Sequence, residues 1–407
     1  MKREACLICN NPGMIEILDL GYHAYADTFI AAERRCDSLP VYKLGCELCT
    51  KCGQIQTLSK TNPKERYRLH DYSYTSANSQ TAENHWIQFA DTISKTLHLK
   101  SDSYIIEVGS NDGFLLEQFK NAGHAVLGID AATYVAEIAQ QRGIDTIVSI
   151  FDSGVAESVK MKHPREADVV IANNVFNHSE NPLSFAQGAH ALLCEGGYFV
   201  YELPYWSCSI DSQKIDQVYH EHVSYFTARS SAEIMSRTGF NIIKAEVVPY
   251  HGGSLRVYAQ KRTTRNVQHD PSLQSMIQEE QGRFLFTKQT YDDIIKVLSK
   301  RKYEFLTQIT NLKSLGEKVV AVGAAAKGNT FLNFVNLDNS MVEYVTDTSL
   351  HKQGKYTPLT NIPIVSDAIL KDYEKVYVII LSWNLADKLK PKLREINPQI
   401  EFLDFYE

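Results

Sequence analysis

Residues 104–113 read Tyr-Ile-Ile-Glu-Val-Gly-Ser-Asn-Asp-Gly, and this stretch decides the fold of the chain. The apolar run Tyr104–Val108 predicts a buried β-strand, the two glycines that follow predict a tight turn, and the residues after them have helical spacing. A further predicted strand ends at Asp130. Strand, glycine turn, helix and strand with a terminal acid is the order in which Rossmann-like folds hold a nucleotide-type cofactor.

The alternation of strands and helices continues beyond this motif. We predict strands over 125–129, 169–172 and 198–202, and helices over 115–121, 135–142 and 185–193. Such alternation is typical of a doubly wound parallel sheet. The pattern recurs from Val319-Val-Ala-Val-Gly-Ala-Ala-Ala-Lys-Gly328 to a strand that ends at Asp347. The chain is therefore predicted to be α/β with two Rossmann-like units. Together these two units would bind two nucleotide-like ligands.

The composition limits the class of protein. With 407 residues, 44% hydrophobic and 22% charged, the chain is globular and long enough for two or three domains. A net charge of −6 with dispersed Lys and Arg disfavours a nucleic-acid partner. The N-terminus lacks the apolar stretch of a signal peptide, and no window approaches 18 uncharged apolar residues, so we expect a cytoplasmic protein that does not bind membranes.

The cysteines cluster at the N-terminus, where six of the eight lie within the first 52 residues. Two Cys-x-x-Cys knuckles suit a tetrahedral, closed and therefore structural zinc site, with ligands Cys6, Cys9, Cys49 and Cys52. Cys46 has equal spacing to Cys49 and competes for the second knuckle. Because Gly53 supplies permissive backbone after Cys52, we favour the pair 49 and 52.

Residues 217–227 read Gln-Val-Tyr-His-Glu-His-Val-Ser-Tyr-Phe-Thr, which concentrates proton-transfer groups beside apolar residues. This mixture indicates a lined cavity, and a solvated loop with incidental histidines is the alternative. A helix would put Tyr219 and His222 on one face. A strand would instead pair His220 with His222 and Tyr219 with Glu221.

Two other polar segments are candidates for the same site. Asn173-Asn-Val-Phe-Asn-His178 follows a predicted strand, so it lies at the carboxyl end of the sheet, where ligands bind in this architecture. A capping or surface role for His178 is the alternative. Asp71-Tyr-Ser-Tyr74-Thr-Ser76 is rich in aromatic and hydroxyl groups and precedes a helical stripe that begins near Ala82.

The glycine spacing of the 109–113 turn is not the one used for nicotinamide cofactors. The turn is Gly-x-x-x-Gly with an acid two residues before the first glycine, and it resembles motif I of class I S-adenosylmethionine methyltransferases. That resemblance implies that Asp130 accepts from two ribose hydroxyls. The expected cofactor-binding residues are Glu107, Gly109, Asn111, Asp112, Gly113, Asp130 and Asn173. A turn that binds another nucleotide stays open as an alternative.

Five motifs follow one another along the chain. They are the cysteine knuckles, the 107–113 turn, Tyr219-His-Glu-His-Val-Ser-Tyr-Phe226, His251-Gly-Gly-Ser-Leu-Arg-Val-Tyr258 and Gly323-Ala-Ala-Ala-Lys-Gly-Asn329. In this order the chain resembles, over essentially its whole length, the zinc-containing, S-adenosylmethionine-dependent sugar C-3-methyltransferases of deoxysugar pathways. The resemblance implies methyl transfer to C3 of a 4-keto-deoxyhexose linked to a nucleotide, typically thymidine diphosphate.

That chemistry assigns roles to the polar motifs. A carbon beside a ketone loses a proton only when the enolate is stabilised, so the site needs a base at C3 and donors at the keto oxygen. The resemblance assigns the base to His222, and the catalytic group to His222, Tyr219, Glu221, His178 and Tyr74, with Tyr72 as the alternative to Tyr74. The expected substrate-binding residues are Tyr72, His251, Lys327, Asn329, Lys352 and Tyr356. The turn at His251 is equally consistent with a plain connection between strands.

We predict three domains: a zinc-binding module over 1–70, a class I methyltransferase domain over 71–265, and a helical connector with a second Rossmann-like domain over 266–407. The polar tract 261–275 is expected to be a linker before a helical pattern over 276–315. The expected partner is a small-molecule nucleotide sugar, and the protein a monomer or weak homo-oligomer. An O- or N-methyltransferase for a related sugar, and a non-catalytic zinc-ribbon protein with a relic methyltransferase fold, are the alternative functions.

Overall fold

The computed structural model describes residues 2–63, 65, 75–77, 79–264 and 266–406. The strands are β1 (Met14–His23), β2 (Tyr42–Cys49), β3 (Ile55–Thr57), β4 (Tyr104–Val108), β5 (Ala125–Asp130), β6 (Thr146–Val148), β7 (Ala167–Ile171), β8 (Leu193–Pro204), β9 (Ser224–Tyr225), β10 (Phe240–Val248), β11 (Ser254–Lys261), β12 (Val319–Val322), β13 (Val345–Thr346), β14 (Ile364–Val365), β15 (Val376–Ile380) and β16 (Ile400–Leu403). The α-helices are α1 (Gln80–Thr96), α2 (Phe114–Asn121), α3 (Thr133–Gln141), α4 (Ser153–Lys162), α5 (Pro182–Leu192), α6 (Trp206–Asp211), α7 (Ala228–Arg237), α8 (Pro271–Gly282), α9 (Lys288–Ser314), α10 (Ala326–Val335) and α11 (Ala386–Ile396).

The central sheet has the order β10-β11-β8-β7-β4-β5-β6. Strands β4 to β8 pair in parallel, as predicted, whereas β10 and β11 add an antiparallel edge to β8. This edge forms because the chain reverses at residues 249–253 and returns along β8. Every residue of β4 is buried, as expected for a central parallel strand covered on both faces. The predicted α/β fold class is confirmed.

The second Rossmann-like unit is a parallel five-stranded sheet in the order β14-β13-β12-β15-β16. The predicted helical pattern before it is two helices, α8 and α9, because the chain breaks at Phe284 with a φ of 54°. The predicted linker is also shorter than its polar composition suggested. Strand β11 extends to Lys261, and Asp270 caps α8 by accepting from the Ser272 N–H at 2.8 Å.

The N-terminal sheet has the order β1-β2-β3-β9, and its last strand belongs to the 217–227 segment. The module shares one core with each Rossmann-like unit. Ile8 packs in the core of the central domain, whereas Leu18 and Leu44 pack in the core that contains Phe305 and Ile309 of α9. The N-terminal module therefore packs against each Rossmann-like unit through a separate apolar core. Among the described residues, no helix combines the length and apolar character needed to cross a membrane.

Candidate active site

The carboxyl edge of the central sheet carries buried polar groups whose bonding is incomplete. Glu107, at the end of β4, is 4% exposed, and its Oε2 atom has no hydrogen-bond partner among the described residues. Burial, and then the charges of Asp112 and Asp130, raise the pKa of Glu107. Asn173 accepts from the Glu202 N–H at 3.0 Å, and its amide nitrogen has no partner in the described part of the chain. An open acceptor and an open donor fit the amino-acid end of S-adenosylmethionine.

The turn after β4 is held in place by backbone conformation and by Asp130. Gly109 and Gly113 have φ angles of 73° and 75°, which L side chains rarely adopt, and a Cβ at Gly109 would lie 2.7 Å from the Val175 side chain. The Asp130 carboxylate accepts from the Asn111 and Ala132 N–H groups, each at 2.8 Å. Each carboxylate oxygen keeps a lone pair, so the predicted bonds to ribose hydroxyls remain possible.

Residues 75–77 lie over this turn. The Ser76 N–H donates to Asn111 Oδ1 at 2.8 Å, the Ala77 N–H donates to Asp112 Oδ2 at 3.2 Å, and the Ser76 hydroxyl also bonds Asp112. The segment that precedes α1 therefore covers the turn predicted to bind the cofactor. Tyr72 and Tyr74 lie outside the described residues, so their roles stay predictions.

The four predicted zinc ligands are brought together by the N-terminal sheet. The ligand atoms of Cys6, Cys9, Cys49 and Cys52 all lie within 4.8 Å of one another, and the Cys6–Cys52 and Cys9–Cys49 sulfur pairs are 3.5 Å apart. Zinc–sulfur bonds of about 2.3 Å in a tetrahedron place sulfurs about 3.8 Å apart, so the geometry fits zinc. Cys46 is buried in a different apolar core and lies outside this cluster.

The 217–227 segment is neither the helix nor the long strand that its sequence allowed. A short turn covers residues 219–222, and only Ser224 and Tyr225 form a strand. The turn places the Tyr219 hydroxyl 2.6 Å from His222 Nε2, and His222 Nδ1 3.0 Å from the Gln217 carbonyl oxygen. Since a carbonyl only accepts, Nδ1 carries the hydrogen and Nε2 accepts from Tyr219.

The surroundings of His222 keep its imidazole neutral. Burial, followed by the charges of His178 and Lys327, lowers the pKa of His222 well below its ordinary value. The His178 and His222 ring centroids are 5.1 Å apart, so the structure brings these two predicted site residues together. A neutral imidazole with a defined accepting nitrogen is equipped to take a proton.

The second Rossmann-like unit contributes a cation to this region. Lys327 lies in the first turn of α10, with its Nζ 5.1 Å from the centre of the Trp383 ring. Burial lowers the pKa of Lys327 to about 8, while Asp216 acts in the opposite direction. Asp216 accepts from the Trp383 indole N–H. Asp216 and Trp383 were missed by sequence reasoning, although Asp216 immediately precedes the 217–227 segment.

His251 lies in the reversal between β10 and β11, with a φ of 52°. The turn connects the two strands, and it also contacts the 217–227 segment through Gln217, whose amide donates to the His251 carbonyl at 3.2 Å. A role of His251 in substrate binding stays a prediction. Burial and the charge of Lys327 lower the pKa of His251. His251 is thus near the cation that also affects His222.

A buried ionic network supports this turn from the side of the central sheet. Glu202 accepts from Arg256 Nε at 2.7 Å and is bonded to His85 Nε2 at 2.7 Å. The His85 ring stacks on Tyr250 with centroids 3.6 Å apart, next to His251 in sequence. No sequence motif identified this network, because its members come from three separate elements.

The other predicted substrate-binding residues lie at the contact with the zinc module. Asn329 is buried and donates to the Ala26 carbonyl at 2.6 Å, and Tyr356 forms a β-bridge with Ile30. Lys352 donates to the Ala324 carbonyl at 2.6 Å, beside the turn after β12. These side chains hold domains or loops together, and their contacts with a substrate stay predictions.

Glu221 and His220 also face the zinc module. Glu221 Oε1 accepts from the Asp27 N–H at 3.5 Å. The His220 ring is edge-on to Tyr25 and Tyr42, with centroids 5.9 and 5.8 Å away. The module therefore supports the segment that carries His222.

Family profiles and a full-length relative are similar to this chain. A zinc binding domain profile matches residues 6–67, a methyltransferase domain profile 81–245, and a C-methyltransferase C-terminal domain profile 249–400. The C-methyltransferase NovU of Streptomyces niveus is 25% identical over 401 residues, which covers 98% of this chain and 93% of that protein. A ubiquinone biosynthesis O-methyltransferase of Burkholderia thailandensis is 22% identical over 158 residues, 36% of this chain and 68% of that one.

Solved structures of methyltransferases also align with part of the chain. Magnesium protoporphyrin IX methyltransferase of Synechocystis PCC 6803 with bound S-adenosylhomocysteine aligns with a TM-score of 0.37 and 15% identity, covering 47% of this chain and 91% of that one. The CurJ carbon methyltransferase aligns with a TM-score of 0.36 and 15% identity, covering 46% and 56%.

Proposed function

The chain belongs to the zinc-containing, S-adenosylmethionine-dependent C-methyltransferases, and from that premise we propose that it methylates C3 of a nucleotide-linked 4-keto-deoxyhexose. Thymidine diphosphate is the expected nucleotide. The zinc is structural, because four thiolates complete its coordination.

The observation that carries this proposal is the arrangement around His222. Its Nε2 accepts from Tyr219 at 2.6 Å, its Nδ1 is fixed on the Gln217 carbonyl, and its imidazole is held neutral. Removing a proton from carbon requires a positioned base, and the negative charge then needs nearby donors and cations. Methyl transfer to a hydroxyl group would not require stabilisation of an enolate.

In the reaction that we propose, His222 Nε2 takes the proton from C3, and the C–H electrons move into the enolate, whose charge lies on the C4 oxygen. The Tyr219 hydroxyl donates to that oxygen in place of its bond to Nε2. Lys327 adds positive charge in the same enclosed region. The bound cofactor supplies an electrophilic methyl group on a sulfonium. S-adenosylmethionine, held by Glu107, Asp130 and Asn173, would offer this methyl to C3 and leave as S-adenosylhomocysteine with the electrons of the broken bond, and His222 would release its proton to solvent.

The test is an incubation with methyl-labelled S-adenosylmethionine and a thymidine diphosphate-linked 4-keto-6-deoxyhexose in deuterated water. We expect a carbon-bound methyl at C3, together with deuterium exchange at C3 when the cofactor is replaced by S-adenosylhomocysteine. A methyl on oxygen or nitrogen would favour the alternative transferase. Absence of both exchange and transfer would refute the proposal.

A further inference from the structure

The connection between β1 and β2 brings the zinc module into contact with both halves of the reaction region. Within it, Ala26 accepts from the Asn329 side chain of α10 at 2.6 Å, and Ile30 and Tyr356 exchange backbone hydrogen bonds at 2.9 and 2.8 Å. Between these two anchors, the Asp27 N–H donates to Glu221 at 3.5 Å. Asp27 is therefore fixed between the 217–227 segment and the second Rossmann-like unit.

The carboxylate of Asp27 has no assigned role and no hydrogen bond among the described residues. Burial raises the pKa of Asp27 to about 6, and the charges of Lys352 and Lys355 act in the opposite direction. Lys352 donates to the Ala324 carbonyl at 2.6 Å, and Lys355 bonds His351 at 3.0 Å. The Asp27 side chain is only partly buried, so its carboxylate can be reached from solvent and can accept hydrogen bonds from a ligand.

We propose that Asp27 binds a hydroxyl group of the substrate's hexose, so that the zinc module forms one wall of the substrate site. This inference rests on the proposed function. A carboxylate accepts strongly from hydroxyl groups but repels phosphate, which excludes the diphosphate as its partner. The contact of Asp27 with Glu221 places it on the side of the hexose, whereas Lys352 contacts Ala324 in the turn after β12.

The test compares Asp27→Asn with the wild type by calorimetric titration of the full-length, zinc-containing protein in the presence of S-adenosylhomocysteine. The two probes are thymidine diphosphate and a thymidine diphosphate-linked 4-keto-6-deoxyhexose. We expect the Kd of the nucleotide sugar to rise about 10-fold, because a hydrogen bond to a charged group is lost. The Kd of thymidine diphosphate should stay equal or fall, because the substitution removes a negative charge close to two lysines.

The matched control is Asp37→Asn, which lies in the same connection, is exposed, and pairs with Arg34 at 2.9 Å. It should change neither Kd. An unchanged nucleotide-sugar Kd in Asp27→Asn would overturn the inference, and so would an equal weakening of both probes, which indicates a purely structural role. A wild type that binds thymidine diphosphate but gains nothing from the hexose would instead overturn the proposed function and this inference with it.

The pH dependence of nucleotide-sugar binding gives a second test of the role of Asp27. The groups that face Asp27 are Lys352, Lys355 and Glu221. Since the ionised carboxylate is the stronger acceptor, wild-type affinity for the nucleotide sugar should fall as the pH drops through about 6, relative to thymidine diphosphate. The ratio of the two affinities should not change with pH in Asp27→Asn. A pH-dependent ratio that persists in this variant would contradict the proposal.

Discussion

In both Rossmann-like units an aspartate accepts hydrogen bonds from backbone N–H groups of the glycine turn. The side chains beside the two turns carry opposite charge. In the first unit, Asp130 accepts from the N–H groups of Asn111 and Ala132, each at 2.8 Å. In the second, Asp347 accepts from the N–H groups of Ala324 and Ser349, again each at 2.8 Å. Both turns begin with a glycine of positive φ, at 109 and 323.

The side chains around these equivalent turns differ. Glu107 and Asp112 surround the first turn with carboxylates, whereas Ala321 occupies the position in β12 that corresponds to Glu107, and Lys327 follows the second turn. Carboxylates suit a cofactor that carries sulfonium and ammonium groups, and a lysine at a helix N-terminus suits a diphosphate. The shared fold fixes the turn, and we propose that the charge beside the turn selects the ligand.

The largest effect is expected at His222, which lies where the two units meet. His222→Ala should lower kcat by about 10²- to 10⁴-fold, the usual contribution of a general base, with the Kd values of cofactor and nucleotide unchanged. Single-turnover methyl transfer and calorimetry measure both quantities. His163→Ala, at the end of α4, is the control. Near wild-type turnover in His222→Ala would refute the role of the base.

Substitution of the acid that follows the turn in each unit, Asp130 or Asp347, tests which ligand each unit binds. An asparagine has only one side-chain acceptor oxygen, so Asp130→Asn and Asp347→Asn should each lose at least one strong hydrogen bond to the turn. We expect about 10-fold weaker S-adenosylhomocysteine binding in Asp130→Asn and about 10-fold weaker thymidine diphosphate binding in Asp347→Asn. Each variant is the control for the other. Weakening of the same ligand by both would contradict a division of ligands between the units.

Removing the cation of the second unit should have a smaller effect on binding and a diagnostic effect on pH dependence. Lys327→Met is expected to weaken thymidine diphosphate several-fold, while S-adenosylhomocysteine binding stays unchanged. Because Lys327 lowers the pKa of His222, its loss should raise that pKa and shift the acidic limb of the kcat profile to higher pH. If the pH profile of kcat were unchanged in Lys327→Met, Lys327 would not affect the pKa of His222.

The smallest expected effect is an opposite pH dependence of the two ligands. Lys327 is charged below its pKa of about 8, so diphosphate affinity should be full below that pH and fall as the pH rises through it. The pKa of Glu107 is raised, so cofactor affinity should be full at high pH and fall as the pH drops and Glu107 is protonated. Calorimetry over a series of pH values measures both trends. If the affinities for both ligands changed in the same direction with pH, the proposed difference in charge between the two turns would be contradicted.

Features encoded over short stretches were predictable from the sequence. Strand β4 has the predicted bounds, and both glycine turns follow their strands as expected. The α/β fold, the S-adenosylmethionine dependence and the structural zinc are confirmed. Domain boundaries and individual catalytic roles stay predictions, and the linker before α8 was placed too broadly, because α8 begins at Pro271 within the polar tract.

The residues around His222 could not be derived in the same way. Asp27 reaches Glu221 across 194 positions, and Asn329 reaches Ala26 across 303. Asp216 and Trp383 likewise come from different domains. Such contacts depend on how three folded units pack together, and no periodicity or spacing within one segment reports that packing.

The sequence by itself determined two strand–turn–helix units, two cysteine knuckles and a segment dense in proton-transfer groups, because backbone turns, alternating burial and metal knuckles are set by residues close together in the chain. Tertiary contacts alone place the Tyr219 hydroxyl on His222, lower the pKa of that histidine through Lys327, and bring Asp27 of the N-terminal module to Glu221. These relations arise because packing of the N-terminal module into two separate apolar cores brings together polar groups that lie far apart in sequence.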